Sequence, residues 1–268
     1  MARAAVALRK SRKIRFASLG SGSQGNGTLV SCGNTHVLID CGFAMKETTR
    51  RLQRLGLEPE QLTAVLITHE HGDHIAGAGA LVRRYQLPLY TTNGTKNSGR
   101  IKGEVPDWRS INPETAFAIQ DLEVCPVTVP HDAREPVQFV VSDGANRLGV
   151  LTDLGSITPP VMRHFSSCQA LVLEANHDPK LLARGPYPAS LKQRVGGDFG
   201  HLSNQQAADF LTQIDTKHLT HLIASHLSEQ NNQPYLARTK LAEAINTTPD
   251  WVALADQADG FGWRDIQA

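Results

Sequence analysis

The sequence predicts an α/β protein built as a four-layer αββα sandwich, in which two β-sheets pack face to face between outer layers of helices. Two similar halves support this fold class, because each begins with short strands and continues with strands that alternate with helices. Apolar runs of strand length that directly precede helical patterns support it as well. With 268 residues and 40% hydrophobic residues, the chain could form one large domain or two small ones, and we expect one domain over 14–268.

In the first half, glycine-rich turns separate three short β-type stretches, and a helix with many cations follows them. A continuous apolar run then predicts a fourth strand, and a helical pattern comes directly after it. The predicted strands are 13–20, 27–33, 35–42 and 62–69. The predicted helices are 45–57, ending near Gly56, and 76–87.

The second half repeats this order, with a strand-rich block before the alternation resumes. The predicted strands are 115–120, 122–130, 137–143, 146–153, 168–175, 218–226 and 251–255. The predicted helices are 203–214 and 234–246. The stretch 183–200 has no clear periodicity and mixes glycine, proline and cations, which is typical of a functional loop.

Composition excludes several classes of protein. The net charge of +1 provides no overall field toward nucleic acid or membrane, so any nucleic-acid contact must come from a local basic patch. The sequence contains no run of 18 apolar residues, the length needed for a helix that crosses a membrane. Residues 1–13 are basic but lack the apolar core of a signal peptide, and we expect a flexible extension rather than an amphipathic targeting peptide. The four dispersed cysteines fit a reducing cytoplasm.

The most informative segment is "LITHEHGDH". Directly after an apolar strand, it contains four side chains of the types that bind metal ions: His69, His71, Asp73 and His74. An extended backbone places residues two apart on one side, so the first two histidines can share an ion. Gly72 then lets the chain turn and present the other two side chains to a second ion. Imidazole and carboxylate ligands suit zinc or manganese.

This HxHxDH stretch resembles that of the metallo-β-lactamase-fold hydrolases, and the resemblance extends over about 14–260. It implies the αββα fold of that superfamily and further ligands at the ends of later strands. The implied ligand sets are His69, His71 and His131 for one ion and Asp73, His74 and His226 for the other, with Asp153 bridging. Such a pair activates a bridging hydroxide for attack on a phosphodiester. True β-lactamases of the fold carry cysteine in place of the bridging aspartate, so Asp153 favours phosphoester chemistry.

Further stretches resemble the YycJ/WalJ group of small bacterial exonucleases within this superfamily. The matching stretches are "LGSGSQGNGTLV", "LIDCG", "HDAREPVQF", "LEANHD", "GPYPASLKQRVGGDFGHLSNQQAA" and "SHLSEQNN". The group implies a 5′-to-3′ DNA exonuclease linked to mismatch repair, with DNA as its partner. Two alternatives stay open: a phosphodiesterase for small cyclic or nucleotide diesters, and a metal-bound regulatory protein without turnover.

Two other residues, one at the end of a strand and one at the end of a loop, are candidates for proton transfer. "GHLSN" resembles the GHS motif of RNase Z-like enzymes, in which a strand-end glutamate partners the histidine. We therefore expect His201 to protonate the leaving 3′-oxygen and Glu174 to orient the ring of His201. An imidazole held by a carboxylate can titrate near neutrality, as a general acid requires. The alternative is a purely structural pair.

The remaining candidates are weaker. Asp40 is expected to anchor the HxHxDH loop from behind the ligands. The loop 21–28 reads as a hairpin turn at the site rather than a nucleotide-binding loop, because a strand follows it. Candidate substrate contacts, each with a structural or solvent-exposed role as the alternative, are Asn176, His177, Tyr187, Lys192, Arg194, Ser203, Asn204 and Ser228.

Overall fold

A computed structural model describes residues 13–266, and nearly all of the expected N-terminal extension lies outside this range. Two seven-stranded sheets with flanking helices form the fold, which confirms the predicted αββα class. Within 13–266, no helix is both long enough and apolar enough to cross a membrane.

The first sheet is built mainly from the N-terminal half. Its strands are β1 Arg15–Gly20, β2 Gly27–Cys32, β3 Thr35–Ile39, β4 Ala64–Leu66, β5 Pro88–Thr91, β6 Asp107–Ser110 and β14 Phe261–Asp265. They lie in the order β14-β1-β2-β3-β4-β5-β6, with β3 to β6 parallel. Because helices cover one face and the second sheet the other, β4 is buried on both sides, which explains its continuous apolar run.

The second sheet repeats this arrangement. Its strands are β7 Phe117–Ile119, β8 Leu122–Thr128, β9 Val137–Ser142, β10 Arg147–Leu151, β11 Ala170–Glu174, β12 His221–Ser225 and β13 Ala253–Leu254. They lie in the order β13-β12-β11-β10-β9-β8-β7, with β10 to β13 parallel. The carboxyl ends of these parallel strands therefore meet at one edge of the sheet, where polar residues follow β10, β11 and β12.

Helices connect the strands on the outer faces. They are α1 Met45–Arg54, α2 Gly72–Ile75, α3 Ala78–Tyr85, α4 Asn93–Asn97, α5 Pro159–Phe165, α6 Pro179–Arg184, α7 Ala189–Val195, α8 Asn204–Gln213 and α9 Pro234–Ala244. A 3₁₀ turn spans Pro59–Gln61. Sequence signals set several helix starts: Asp178 accepts bonds from the first N–H groups of α6, and Ser203 with Gln206 forms a capping box on α8.

Three apolar clusters separate the four layers. Alternation along a strand divides its side chains between them: Ile39 points between the sheets, whereas Leu38 points toward the helices of the first sheet. Phe16 and Phe139 both belong to the inter-sheet core. Phe210 of α8 packs against the outer face of the second sheet.

One expectation is wrong. The stretch 183–200 contains α7 and the end of α6 rather than an irregular loop throughout. None of the residues of α7 is buried, so this helix has no apolar stripe from which a helical period could be recognised.

Candidate metal centre

The side chains of the HxHxDH segment lie beside those that follow strands of both sheets. His69 comes after β4, His131 after β8, Asp153 after β10 and His226 after β12. The structure brings all seven predicted ligands together into overlapping groups, one of which also includes Glu174 and His201. Within each group the ligand atoms lie within 4.8 Å of one another. This arrangement provides two adjoining sets of nitrogen and oxygen donors.

The first set consists of three imidazoles that turn ring nitrogens toward one another. His71 Nδ1 lies 3.1 Å from His69 Nε2 and 3.2 Å from His131 Nε2. His131 Nδ1 donates to the carbonyl of Gly200 at 3.0 Å, which leaves its Nε2 as a lone-pair donor. Burial lowers the pKa of His69 and of His131, so both rings favour the neutral form that binds metals.

The second set surrounds Asp153, whose two carboxylate oxygens face different imidazoles. Its Oδ2 lies 3.2 Å from His74 Nε2, and its Oδ1 lies 3.5 Å from His226 Nε2. Asp73 Oδ2 lies 3.4 Å from His74 Nε2 and 3.6 Å from His226 Nε2. Asp153 is therefore placed as a carboxylate shared by both sets, next to His69 as well.

These residues fit a pair of divalent cations. The buried Asp153 Oδ2 and His226 Nε2 have no hydrogen-bond partner, although each lies within ion-pair distance of a neighbour. Burial alone would lower the pKa of His226, but Asp153, Asp73 and Glu174 raise it to about 10. The carboxylates thus hold positive charge at this position, and a bound cation would take the place of that proton.

Unusual backbone geometry aims several of these side chains. Asp40, Asp153 and His226 have φ values of 62°, 51° and 53°, in the left-handed region that non-glycine residues rarely adopt. Asp40 and His226 directly follow a strand, and Asp153 lies two residues after the end of one. Such conformations cost about 1–3 kcal/mol each and cluster at functional sites.

Asp40 lies behind the candidate ligands and contacts one of them. Its carboxylate accepts the backbone N–H of Thr68 at 2.9 Å and His74 Nδ1 at 2.8 Å. The second bond fixes the ring of His74 so that Nε2 points at the centre. Asn26, from the loop 21–28, places its Nδ2 3.2 Å from Asp73 Oδ2.

Glu174 holds two imidazoles at once. Its Oε1 accepts His201 Nδ1 at 2.8 Å and His226 Nδ1 at 3.1 Å. Its Oε2 accepts the N–H groups of Leu154 at 3.1 Å and Leu202 at 3.0 Å. Although burial opposes ionisation, the charge of His201 and the hydrogen bonds from His201 and His226 hold the pKa of Glu174 at about 2. In turn, despite the opposing effect of burial, Glu174 raises the pKa of His201.

A family model described as "Beta-lactamase superfamily domain" matches residues 35–226, a span that contains all seven candidate ligands. The chain belongs to the metallo-β-lactamase superfamily. Exodeoxyribonuclease YycJ of Bacillus anthracis is 33% identical over 87% of this chain and 89% of its own length. Exodeoxyribonuclease WalJ of Streptococcus pneumoniae is 30% identical over 87% of this chain and 88% of its own length.

Solved structures of other proteins share the fold. YhfI from Bacillus subtilis superposes with a TM-score of 0.72 at 16% identity, over 94% of this chain and 99% of that one. Zn²⁺-bound PqqB from Methylobacterium extorquens superposes with a TM-score of 0.71 at 17% identity, over 94% of this chain and 100% of that one. With the His/Asp/Glu clusters, these comparisons support a metal-dependent hydrolase of the metallo-β-lactamase superfamily.

A cavity of about 220 Å³ opens beside this metallo-β-lactamase-type centre, and both His201 and His226 line it. Four of the predicted substrate contacts line it too: Asn176, Tyr187, Arg194 and Ser228. Arg194 forms a 2.6 Å ion pair with Asp132, a residue that sequence reasoning missed although it directly follows His131. The positive charge of Arg194 is therefore partly neutralised.

Of the other predicted substrate contacts, three take part in structural bonds and one is a buried histidine. Ser203 caps α8, and Asn204 exchanges hydrogen bonds with Asn232 at 2.9 Å. Lys192 donates to the carbonyl of Ala183 at 2.7 Å. His177 is buried, which lowers its pKa to about 4, and its Nδ1 has no hydrogen-bond partner.

Proposed function

We propose that this hydrolase is a dinuclear metal-dependent phosphodiesterase that removes nucleotides from the 5′ end of DNA. The observation that carries the proposal is the complete set of seven ligand-type side chains around Asp153, in a chain similar to two exodeoxyribonucleases over 87% of its length. A shared hard oxygen donor at this position suits two ions that act on a phosphodiester.

Two ligand sets would hold the ions. His69, His71 and His131 would hold one, Asp73, His74 and His226 the other, and Asp153 would belong to both. When bound, two divalent cations acidify water so that it can attack phosphorus at neutral pH, and they neutralise charge on the phosphate. Zinc and manganese both accept such mixed donors.

His201 supplies the proton that the leaving oxygen needs. Its Nδ1 is engaged by Glu174, which leaves Nε2 to face the substrate, and the ring lines the cavity beside the ligand cluster. The carboxylate raises the pKa of the ring, so the protonated form is available near neutral pH. Glu174 does not contact substrate in this scheme; it positions both His201 and His226.

The place of His201 also fixes which nucleotide enters the cavity. The leaving 3′-oxygen belongs to the nucleotide on the 5′ side of the broken bond, so that nucleotide lies beside His201. A cavity of about 220 Å³ is smaller than sites for drug-sized ligands, typically about 300–1,000 Å³, which favours one terminal nucleotide over a longer segment. A role in mismatch repair stays a prediction from the sequence resemblance.

The test uses the metal-reconstituted protein with DNA labelled at the 5′ or the 3′ end, beside small cyclic and linear diesters. Release of 5′-labelled mononucleotides from the first reaction time, with gradual shortening of the 3′-labelled strand, is expected. Hydrolysis of small diesters without DNA digestion would overturn the proposal in favour of a small-diester phosphodiesterase. Metal binding with no turnover of any substrate would instead favour a regulatory metal-bound protein.

A further inference from the structure

A second concave surface begins at the candidate ligands, and its lining shares no residue with that of the cavity. It is a groove of about 330 Å³ that includes Gly72, the residue between His71 and Asp73. Small residues and three cations form most of its lining: Gly72, Ala76, Gly79, Arg83, Arg100 and Lys102. The groove thus begins within the HxHxDH segment itself.

Close packing holds the loop that carries Arg100 and Lys102 against α3. A Cβ atom on Gly79 would lie 2.3 Å from the carbonyl oxygen of Lys102, so the following loop can pack this closely only because residue 79 is glycine. Arg83 Nη1 donates to that same carbonyl at 2.6 Å and to the carbonyl of Glu104 at 3.3 Å. These contacts fix the backbone that carries Arg100 and Lys102.

The described part of the chain does not neutralise the positive charge of the groove. Within residues 13–266, no carboxylate lies within ion-pair distance of Arg83, Arg100 or Lys102. Several surface arginines elsewhere do have such partners, for example Arg54 with Asp259 at 3.0 Å. The lining also contains no aromatic side chain on which a base could stack.

We propose that this groove binds the sugar–phosphate backbone of the DNA strand downstream of the scissile phosphate, an inference that rests on the proposed function. Small residues allow the backbone close to the floor, and unpaired cations attract successive phosphates. Because the lining offers no aromatic group for base stacking and its cations contact phosphates rather than base edges in this assignment, the contact is independent of sequence.

The direction of the strand follows from His201. Because the nucleotide that carries the leaving 3′-oxygen lies in the cavity beside His201, the 5′-oxygen side of the phosphorus points away from it. The groove begins at Gly72 and shares no lining residue with the cavity, so the retained strand is assigned to it, along α2 and α3 toward Arg100 and Lys102.

The test is the double variant Arg100→Gln and Lys102→Gln, since both side chains are exposed and Arg83 keeps its structural bonds. Each phosphate contact on a single strand releases about 0.7 counterions, and the variant loses two such contacts. When salt is raised from about 50 to about 200 mM, kcat/KM on a long single strand should therefore fall by a factor about 7 times larger for the wild type than for the variant. Hydrolysis of thymidine 5′-monophosphate p-nitrophenyl ester, which has no downstream strand, should be unchanged.

A matched control is Lys13→Gln with Lys217→Gln. Both lysines are exposed and precede β1 and β12, so they lie at the strand ends opposite the metal centre, and the change in net charge is the same. This variant should keep the salt dependence of the wild type. Equal loss of salt dependence in both variants would show a general charge effect and overturn the groove assignment.

The groove and the function fail in different ways. If the wild type digests DNA but the groove variant has the same salt dependence, the groove does not bind the strand, and an acidic protein partner becomes the better occupant. If the wild type cleaves the nitrophenyl ester but no DNA at any salt concentration, the proposed exonuclease function itself is wrong.

Discussion

Replacing His201 by alanine separates proton donation from metal binding. Glu174 keeps its bond to His226 Nδ1 at 3.1 Å and its two backbone N–H donors when His201 is absent. His226 therefore stays oriented, and the metal content should match that of the wild type. The substitution removes one imidazole from the cavity wall without removing a candidate ligand.

The expected loss depends on the leaving group. General acid catalysis is worth about 10²–10⁴-fold, or about 3–5 kcal/mol of barrier, so DNA digestion by His201→Ala should slow by that factor. A p-nitrophenolate leaves without a proton, and thymidine 5′-monophosphate p-nitrophenyl ester should therefore be hydrolysed within about tenfold of the wild-type rate. Single-turnover rates on both substrates, with metal content by elemental analysis, measure the difference.

His164→Ala is a suitable control, because this histidine lies in α5 and pairs with Glu114 at 2.9 Å on the surface. It should leave both rates unchanged. If His201→Ala slows both substrates equally, or if it loses metal, the ring is a ligand or a structural element, and its assignment as the proton donor is wrong.

Three further changes test the supporting residues. Glu174→Gln removes the charge that raises the pKa of His201, so the alkaline limb of the pH–rate profile should move to lower pH; an unmoved limb would contradict the pairing. Asp40→Ala removes the acceptor of His74 Nδ1 and should weaken metal affinity about 10–100-fold in competition with a chelating dye; unchanged affinity would argue against this support. Phe210→Ala empties a fully buried position between α8 and the second sheet and should lower the free energy of unfolding by about 3–5 kcal/mol in urea titrations; a loss below about 1 kcal/mol would contradict its place in the core.

The sequence predicts the fold and the main donor set because both leave short-range patterns. The run before His69 has the length and apolarity of a buried strand, and four donors follow it within six residues. Strands such as β6 and β14 were not predicted, since exposed or half-buried residues predominate in both and neither has a clear apolar alternation.

Other features depend on contacts between distant residues. The bond from Glu174 to His226 joins positions 52 residues apart, and the bond from His131 to Gly200 joins positions 69 apart. The left-handed backbone conformation at Asp153 could not be predicted from the sequence either, because aspartate does not indicate a positive φ as strongly as glycine does. These features arise when the two sheets bring their strand ends together.

The central claim is that two metal ions, held around Asp153, are required for DNA hydrolysis. The most direct measurement is titration of metal-stripped protein with Zn²⁺ or Mn²⁺ while DNA digestion and bound metal are followed together. The structure predicts no digestion by the stripped protein and a maximal rate as the second equivalent binds. Full activity at one equivalent, or digestion by protein free of measurable metal, would contradict the dinuclear account.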